Sequence, residues 1–167
     1  MHLSIRTALA TLVALATIPP ASLAAQGAAP KLRVPVTVDT LPNGLTLIVH
    51  EDHSVPTVAT NVWFHVGSGD EKPGRTGFAH LFEHLMFMGS KNAPYPQFDR
   101  LLEAAGANNN GSTNGDRTNY YETLPAATPE QAVQNLEFAI GLEADRLMNS
   151  FVKGEDLASE MTVVRNE

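Results

Sequence analysis

The run Gly77-Phe78-Ala79-His80-Leu81-Phe82-Glu83-His84-Leu85-Met86-Phe87-Met88-Gly89 constrains the chain more than any other stretch. It reads as one buried helix between two glycines, apolar except for three side chains. Unpaired polar groups among such neighbours cost on the order of several kcal/mol, so the three need partners. His80 and His84 stand four residues apart, about 40° around the axis and on neighbouring turns. Both imidazoles can therefore reach one ion, since zinc takes nitrogen ligands at about 2.0–2.1 Å. Glu83 flanks the same face, where it can take a proton from a water that the metal has made acidic. The helix predicts a zinc hydrolase.

The chain has no cysteine, which rules out disulfides and thiolate metal sites. Any metal must be held by histidine and carboxylate. The net charge is −7 and no basic cluster occurs, which argues against a nucleic-acid surface. With 43% hydrophobic residues the chain has the makings of one domain of ordinary size.

Residues 1–24 read as a signal for export. Arg6 supplies the positive start, Ala8 to Ile18 the short apolar core, and Ser22-Leu23-Ala24 the small residues for cleavage. The apolar run is too short to span a membrane, so no membrane attachment is expected after cleavage. Its removal leaves 10 basic against 18 acidic residues, a formal charge of −8. The mature protein is expected to be periplasmic or secreted. Residues 25–33 read as a linker, and residues 34–167 as the folded domain.

Val34 to Asp39 and Leu45 to His50 read as strands joined by the turn Pro42-Asn43-Gly44. Thr57 to Val66 alternates as a third strand, expected to be covered on both faces. His50-Glu51-Asp52-His53 reads as a solvated loop at a strand end rather than a metal cluster. A helix from Pro96 to Ala105 stops at Gly106, and two strands meet around Asn114-Gly115. A long helix from Pro129 to Asn149 starts with Thr128 as its cap, with Val133, Leu136, Ile140 and Leu147 as its buried stripe. A last helical stretch runs from Gly154 to the end. The expected fold is α+β, a mostly antiparallel sheet with helices packed on one face.

Glu160 and Glu167 lie seven residues apart on that last stretch, two helical turns, and so share a face. Either carboxylate suits zinc, and a catalytic site wants three protein ligands with one position open. Two histidines and a carboxylate would also accept other divalent ions.

The order His-x-x-Glu-His marks the inverzincins. With Gly67-Ser68 before it and Phe87-Met88-Gly89 after it, the run resembles the pitrilysin/insulinase metallopeptidases, a family that includes the mitochondrial processing peptidases and exported bacterial enzymes. The resemblance covers about Val34 to Glu167. It implies His80 and His84 as zinc ligands and Glu83 as general base. It also implies a third ligand at the Glu of Arg165-Asn166-Glu167, with Glu160 assisting the site. A ligand at Glu160 would instead stand 76 residues after His84, against 83 for Glu167. The phase of Val163 to Glu167 favours Glu167.

Asn110-Gly111-Ser112-Thr113, followed by Thr118-Asn119-Tyr120-Tyr121, resembles the edge strand on which family members bind an extended peptide. A free strand edge offers main-chain hydrogen bonds whatever the peptide's sequence. Family enzymes are much longer, with paired homologous domains. The resemblance therefore implies a peptide substrate and a homologous C-terminal domain or partner subunit beyond the chain read here. It implies that this chain corresponds to an N-terminal part of a zinc endopeptidase, with a zinc-loaded but inert fragment as one alternative. The competing expectation is a non-catalytic subunit that pairs with an active homologue.

Overall fold

A computed structural model describes residues 33–167. The expected export signal and all but the last residue of the expected linker lie outside the described residues. The described residues divide into two compact units, one before and one after the junction between residues 51 and 52.

In the first unit, β1 (Thr37–Thr40) pairs antiparallel with β2 (Thr46–Val49), Thr40 opposite Thr46. The turn closes because Gly44 takes φ 90° and donates its N–H to the Leu41 carbonyl at 2.8 Å. Asn43 Oδ1 accepts from Leu45 N at 3.1 Å, the short-range bond that makes asparagine a turn residue. Every residue of both strands is exposed.

The second unit is built on a three-stranded antiparallel sheet of order β3-β5-β4, where β3 is Thr57–Phe64, β4 Asn108–Thr113 and β5 Thr118–Pro125. Registers Val62↔Tyr120 and Gly111↔Tyr120 put Val58, Thr60, Val62, Phe64, Thr118, Tyr120, Glu122, Leu124, Gly111 and Thr113 on one face. Four helices complete the unit: α1 (Phe78–Leu85), α2 (Gln97–Ala104), α3 (Pro129–Asn149) and α4 (Gly154–Val164). The core lies between the sheet and α2 and α3, where Phe98, Leu102, Ala139 and Leu142 meet Leu124, with Val58 and Phe87 at its margin. This is the α+β arrangement expected.

Three expectations need correction. The central run is not one long helix. Gly77 at φ 89° opens α1, which ends at Leu85, and Met86 to Met88 follow as turns before Gly89 at φ 97°. Only Leu81 and Leu85 of α1 are buried, while Phe78 and Phe82 are exposed. Next, β3 is covered on one face. Ala59, Asn61 and Trp63 are exposed, because among the described residues the helices all pack on the other side.

The third correction concerns α3. Its bounds and its cap are as expected: Thr128 Oγ1 accepts from Gln131 N at 3.2 Å, and Pro129 stands first. The inward stripe, however, is Ala139, Leu142, Glu143 and Arg146, while Val133, Ile140 and Leu147 are more than half exposed. Arg146 is 1% exposed, its guanidinium 4.3–5.1 Å from the ring centres of Phe87, Phe98 and Tyr120. Cation–π attraction strengthens when the cation is desolvated, so three rings are a good cage for it. The same guanidinium pairs with Glu143 and, at 3.3 Å, with Glu122. A buried triad of Arg146, Glu122 and Glu143 occupies the place where an apolar stripe was expected.

Candidate metal centre and peptide cleft

A remote carboxylate fixes the start of α1. Glu71 accepts from Gly77 N and Ala79 N, both at 2.8 Å, which satisfies amides that a helix start leaves without partners. Those bonds hold the Glu71 carboxyl below the usual range. The short 3-10 turn Ser68–Asp70 leads into Glu71 and is tied to the β4–β5 turn by Ser68 N→Asn114 O at 2.9 Å and Gly69 N→Gly115 O at 2.7 Å. A Cβ on Gly67 would fall 2.2 Å from the Asn114 carbonyl oxygen, so only glycine permits this approach. The strand turn and the α1 N-terminus are thereby held in one frame.

α1 packs against α4, and this brings two carboxylates to the histidines. His80 Nε2 and His84 Nε2 are 3.1 Å apart. Glu167 Oε2 lies 3.1 Å from the first and 3.6 Å from the second. Ligands about 2.05 Å from a tetrahedral ion stand roughly 3.3 Å from one another, so the three separations fit one small cation. Among the described residues this is the only group of three metal-type ligands that converges. His50-Glu51-Asp52-His53 is exposed and does not form such a group. Glu167 reaches the site from beyond α4, not from its face. The helix stops at Val164, and a turn held by Asn166 N→Val163 O at 2.8 Å carries the chain on.

Glu160 does not join that triangle. Its Oε2 lies 2.9 Å from His84 Nδ1, on the far side of the ring. The carboxylate accepts the Nδ1 proton, which leaves the Nε2 lone pair free to face the cluster. With both Nε2 atoms and Glu167 Oε2 converging, the donor set suits a cation between them. No Lys or Arg forms an ion pair with Glu83, Glu160 or Glu167 among the described residues.

Glu83 stands beside the cluster, not in it. Thr113 Oγ1 donates to its Oε2. An open cleft of about 410 Å³ is lined by Ser68, His80, Glu83, Gly111, Ser112 and Thr113. A second, of about 440 Å³, runs from Glu83 and His84 past Phe87 to Asp99 and Asn110. Both follow β4, an edge strand in the order β3-β5-β4 whose other side is unpaired among the described residues. The four residues of β4 expected to bind peptide do not face one way. Gly111 and Thr113 face α1, whereas Ser112 Oγ bonds Asn119 at 2.9 Å and Arg117 at 2.7 Å on the opposite face. Asn110 Oδ1 accepts from Gly111 N at 2.8 Å.

The insulinase (peptidase family M16) profile matches residues 46–163. The chain belongs to this family. A zinc protease of Rickettsia bellii, itself uncharacterised, is 32% identical over 130 residues, covering 78% of this chain and 30% of its own. The probable mitochondrial-processing peptidase subunit beta of Arabidopsis thaliana is 30% identical over 130 residues, covering 78% of this chain and 23% of its own. The crystal structure of a protease from Helicobacter pylori superposes with a TM-score of 0.72 at 28% identity, over 80% of this chain and 30% of that one. The chain thus spans a third or less of the relatives it matches.

Within this insulinase-family chain, sequence reading brought His80, Glu83, His84, Glu160 and Glu167 together. It missed Glu71, although an acidic residue shortly before a glycine-led helix was the available signal. It also missed the Thr113–Glu83 bond, which needs the strand register and has no local signature.

Proposed function

We propose that this chain carries the metal site of a zinc-dependent endopeptidase acting on peptides bound as an extended strand. The observation that carries the reading is the convergence of His80 Nε2, His84 Nε2 and Glu167 Oε2 beside a cleft lined by His80 and Glu83. Those three side chains would hold the zinc, and Glu160 would orient His84 through Nδ1. When bound, zinc polarises the scissile carbonyl and acidifies the attacking water. Glu83 takes the proton from that water and returns it to the leaving amine. The free edge of β4 supplies main-chain hydrogen bonds to the peptide, with Asn110, Gly111, Ser112 and Thr113 as the contact segment. Export to the periplasm or beyond is part of the proposal, on the strength of Arg6 and the apolar run after it.

Glu83→Gln keeps the shape of the base and removes its function. It is expected to retain zinc while hydrolysis of a quenched peptide falls by about 10²–10⁴. Activity within about tenfold of the parent would refute the assignment of Glu83 as the base.

A second reading is a subunit that supplies this site only in company. It draws support from the Arabidopsis relative being a subunit by name. Chelator-sensitive cleavage by residues 25–167 alone would reject it.

A further inference from the structure

Glu83 is held from two sides by β4. On one side the Thr113 hydroxyl donates to Oε2 and also lies 3.3 Å from the Thr118 hydroxyl, which donates to the Val66 carbonyl at 3.0 Å. Thr118 donates its proton to the backbone and can only accept from Thr113. The Glu83 carboxylate is the closer and stronger acceptor, so the Thr113 proton goes to Glu83. On the other side the strand comes so close that a Cβ on Gly111 would lie 3.1 Å from Glu83 Oε1 and 3.2 Å from its Cγ. The same Cβ would lie 3.1 Å from Phe87 Cε2, so the ring could not yield to it freely. Gly111 and Thr113 are two apart on one strand, and the carboxylate sits against both.

We propose that Thr113 is a positioning residue for Glu83, with Gly111 as the space that lets the carboxylate lie along the strand. The proposal rests on Glu83 acting as the base. Thr113 then serves the reaction through Glu83, and the peptide meets only the backbone of this position. A carboxylate on a flexible stem samples several rotamers, and a fixed hydroxyl selects the one aimed into the cleft. Misplacement of a catalytic group by an ångström is enough to cost about 10²-fold in rate.

The test compares Thr113→Val, Thr113→Ser, Glu83→Gln and the double variant Thr113→Val/Glu83→Gln in the full chain loaded with zinc. Three quantities are read: kcat and KM on a quenched peptide, zinc affinity by chelator competition, and the ¹³C carboxylate signal of Glu83. Valine has the shape of threonine and lacks its hydroxyl, so Thr113→Val is expected to lower kcat about 30-fold, with KM and zinc affinity within about twofold. Its Glu83 carboxylate signal shifts, and Thr113→Ser restores both the signal and most of the rate. In the Glu83→Gln background, Thr113→Val lowers the rate no further. A rise in KM at unchanged kcat would make Thr113 a substrate contact and overturn the proposal. An equal loss in both backgrounds, or an unmoved carboxylate signal, would do the same. Should Glu83→Gln itself keep activity, the base reading fails, and the carboxylate signal of Thr113→Val still decides whether the hydroxyl holds Glu83. As a second route, Gly111→Val is expected to lower kcat more than Gly111→Ala, because an alanine needs a shift of only a few tenths of an ångström.

Discussion

Two groups of carboxylates lie on the helix-covered side of the sheet, and they solve the same electrostatic problem differently. In the closed group, Glu122 and Glu143 share the guanidinium of Arg146 beneath three aromatic rings, and all three side chains are buried. In the open group, Glu83, Glu160 and Glu167 gather around two imidazoles at a cleft, and Glu167 is half exposed. The closed group carries its cation on the chain. The open group has no lysine or arginine within ion-pair distance among the described residues. Charge that is neutralised from within makes structure, and charge left for an outside cation makes a site.

The largest effect is expected from breaking the closed group. Arg146→Leu leaves the buried Glu122–Glu143 pair without its cation, which costs about 3–5 kcal/mol, read as a loss of urea-unfolding free energy. Adding Glu122→Gln and Glu143→Gln should recover most of it, since the charges then go together. The group should also show in the pH dependence. Burial, and then the neighbouring Glu122, push Glu143 up to about 8 against the pull of Arg146. The unfolded chain releases that proton near the ordinary carboxylate value, 4.5. Between the two the folded state binds more protons, so stability is full below 4.5 and falls as pH rises towards 8. Glu143→Gln should flatten that slope. An unchanged slope would show that the closed group holds no proton.

A smaller effect is expected in the open group. Glu160→Gln leaves the three converging ligands in place but weakens the hold on His84 Nδ1, and loss of such an outer partner lowers metal affinity about 10–100-fold. Zinc titration against a competing chelator measures it. Loss of zinc as complete as in Glu167→Ala would mean that Glu160 is itself a ligand. That would undo the separation between the ion's ligands and their support.

How far the sequence predicted these two groups follows the same division. The open group was legible because helical spacing puts His80 and His84 together, and because Arg165-Asn166-Glu167 resembles the family's third-ligand segment. The seven-residue interval misled, since Glu167 lies beyond α4. Strand and helix order, the Thr128 cap and the Asn43-Gly44 turn were legible from local chemistry. The closed group was not. Periodicity says which residues share a face, but α3 has apolar residues on two faces, and only the tertiary packing turns Arg146 inward and leaves Val133 and Ile140 out. For β3 the same ambiguity hid which face the helices would leave open. Glu83 was readable as a candidate base, but its partner Thr113 comes from a strand 30 residues on.

The smallest effect tests whether the frame of the open group is electrostatic as well. Glu71 holds the first turn of α1, one residue before His80, by accepting from Gly77 N and Ala79 N. Those bonds, above all the one from Ala79, depress its folded pKa, with burial acting weakly against them. The sign is opposite to that of Glu143. The contribution is present above the ordinary carboxylate value and is lost as pH falls through the lowered one. Glu71→Gln should therefore speed hydrogen exchange of the Ala79 amide near neutral pH and leave global unfolding almost untouched. The difference between variant and parent should shrink in acid, as the parent carboxylate takes up its proton. Exchange at Ala79 that is the same in both at every pH would mean that packing against α4 alone fixes the helix start. The open group would then owe its geometry, like the closed one, to contacts made within the fold.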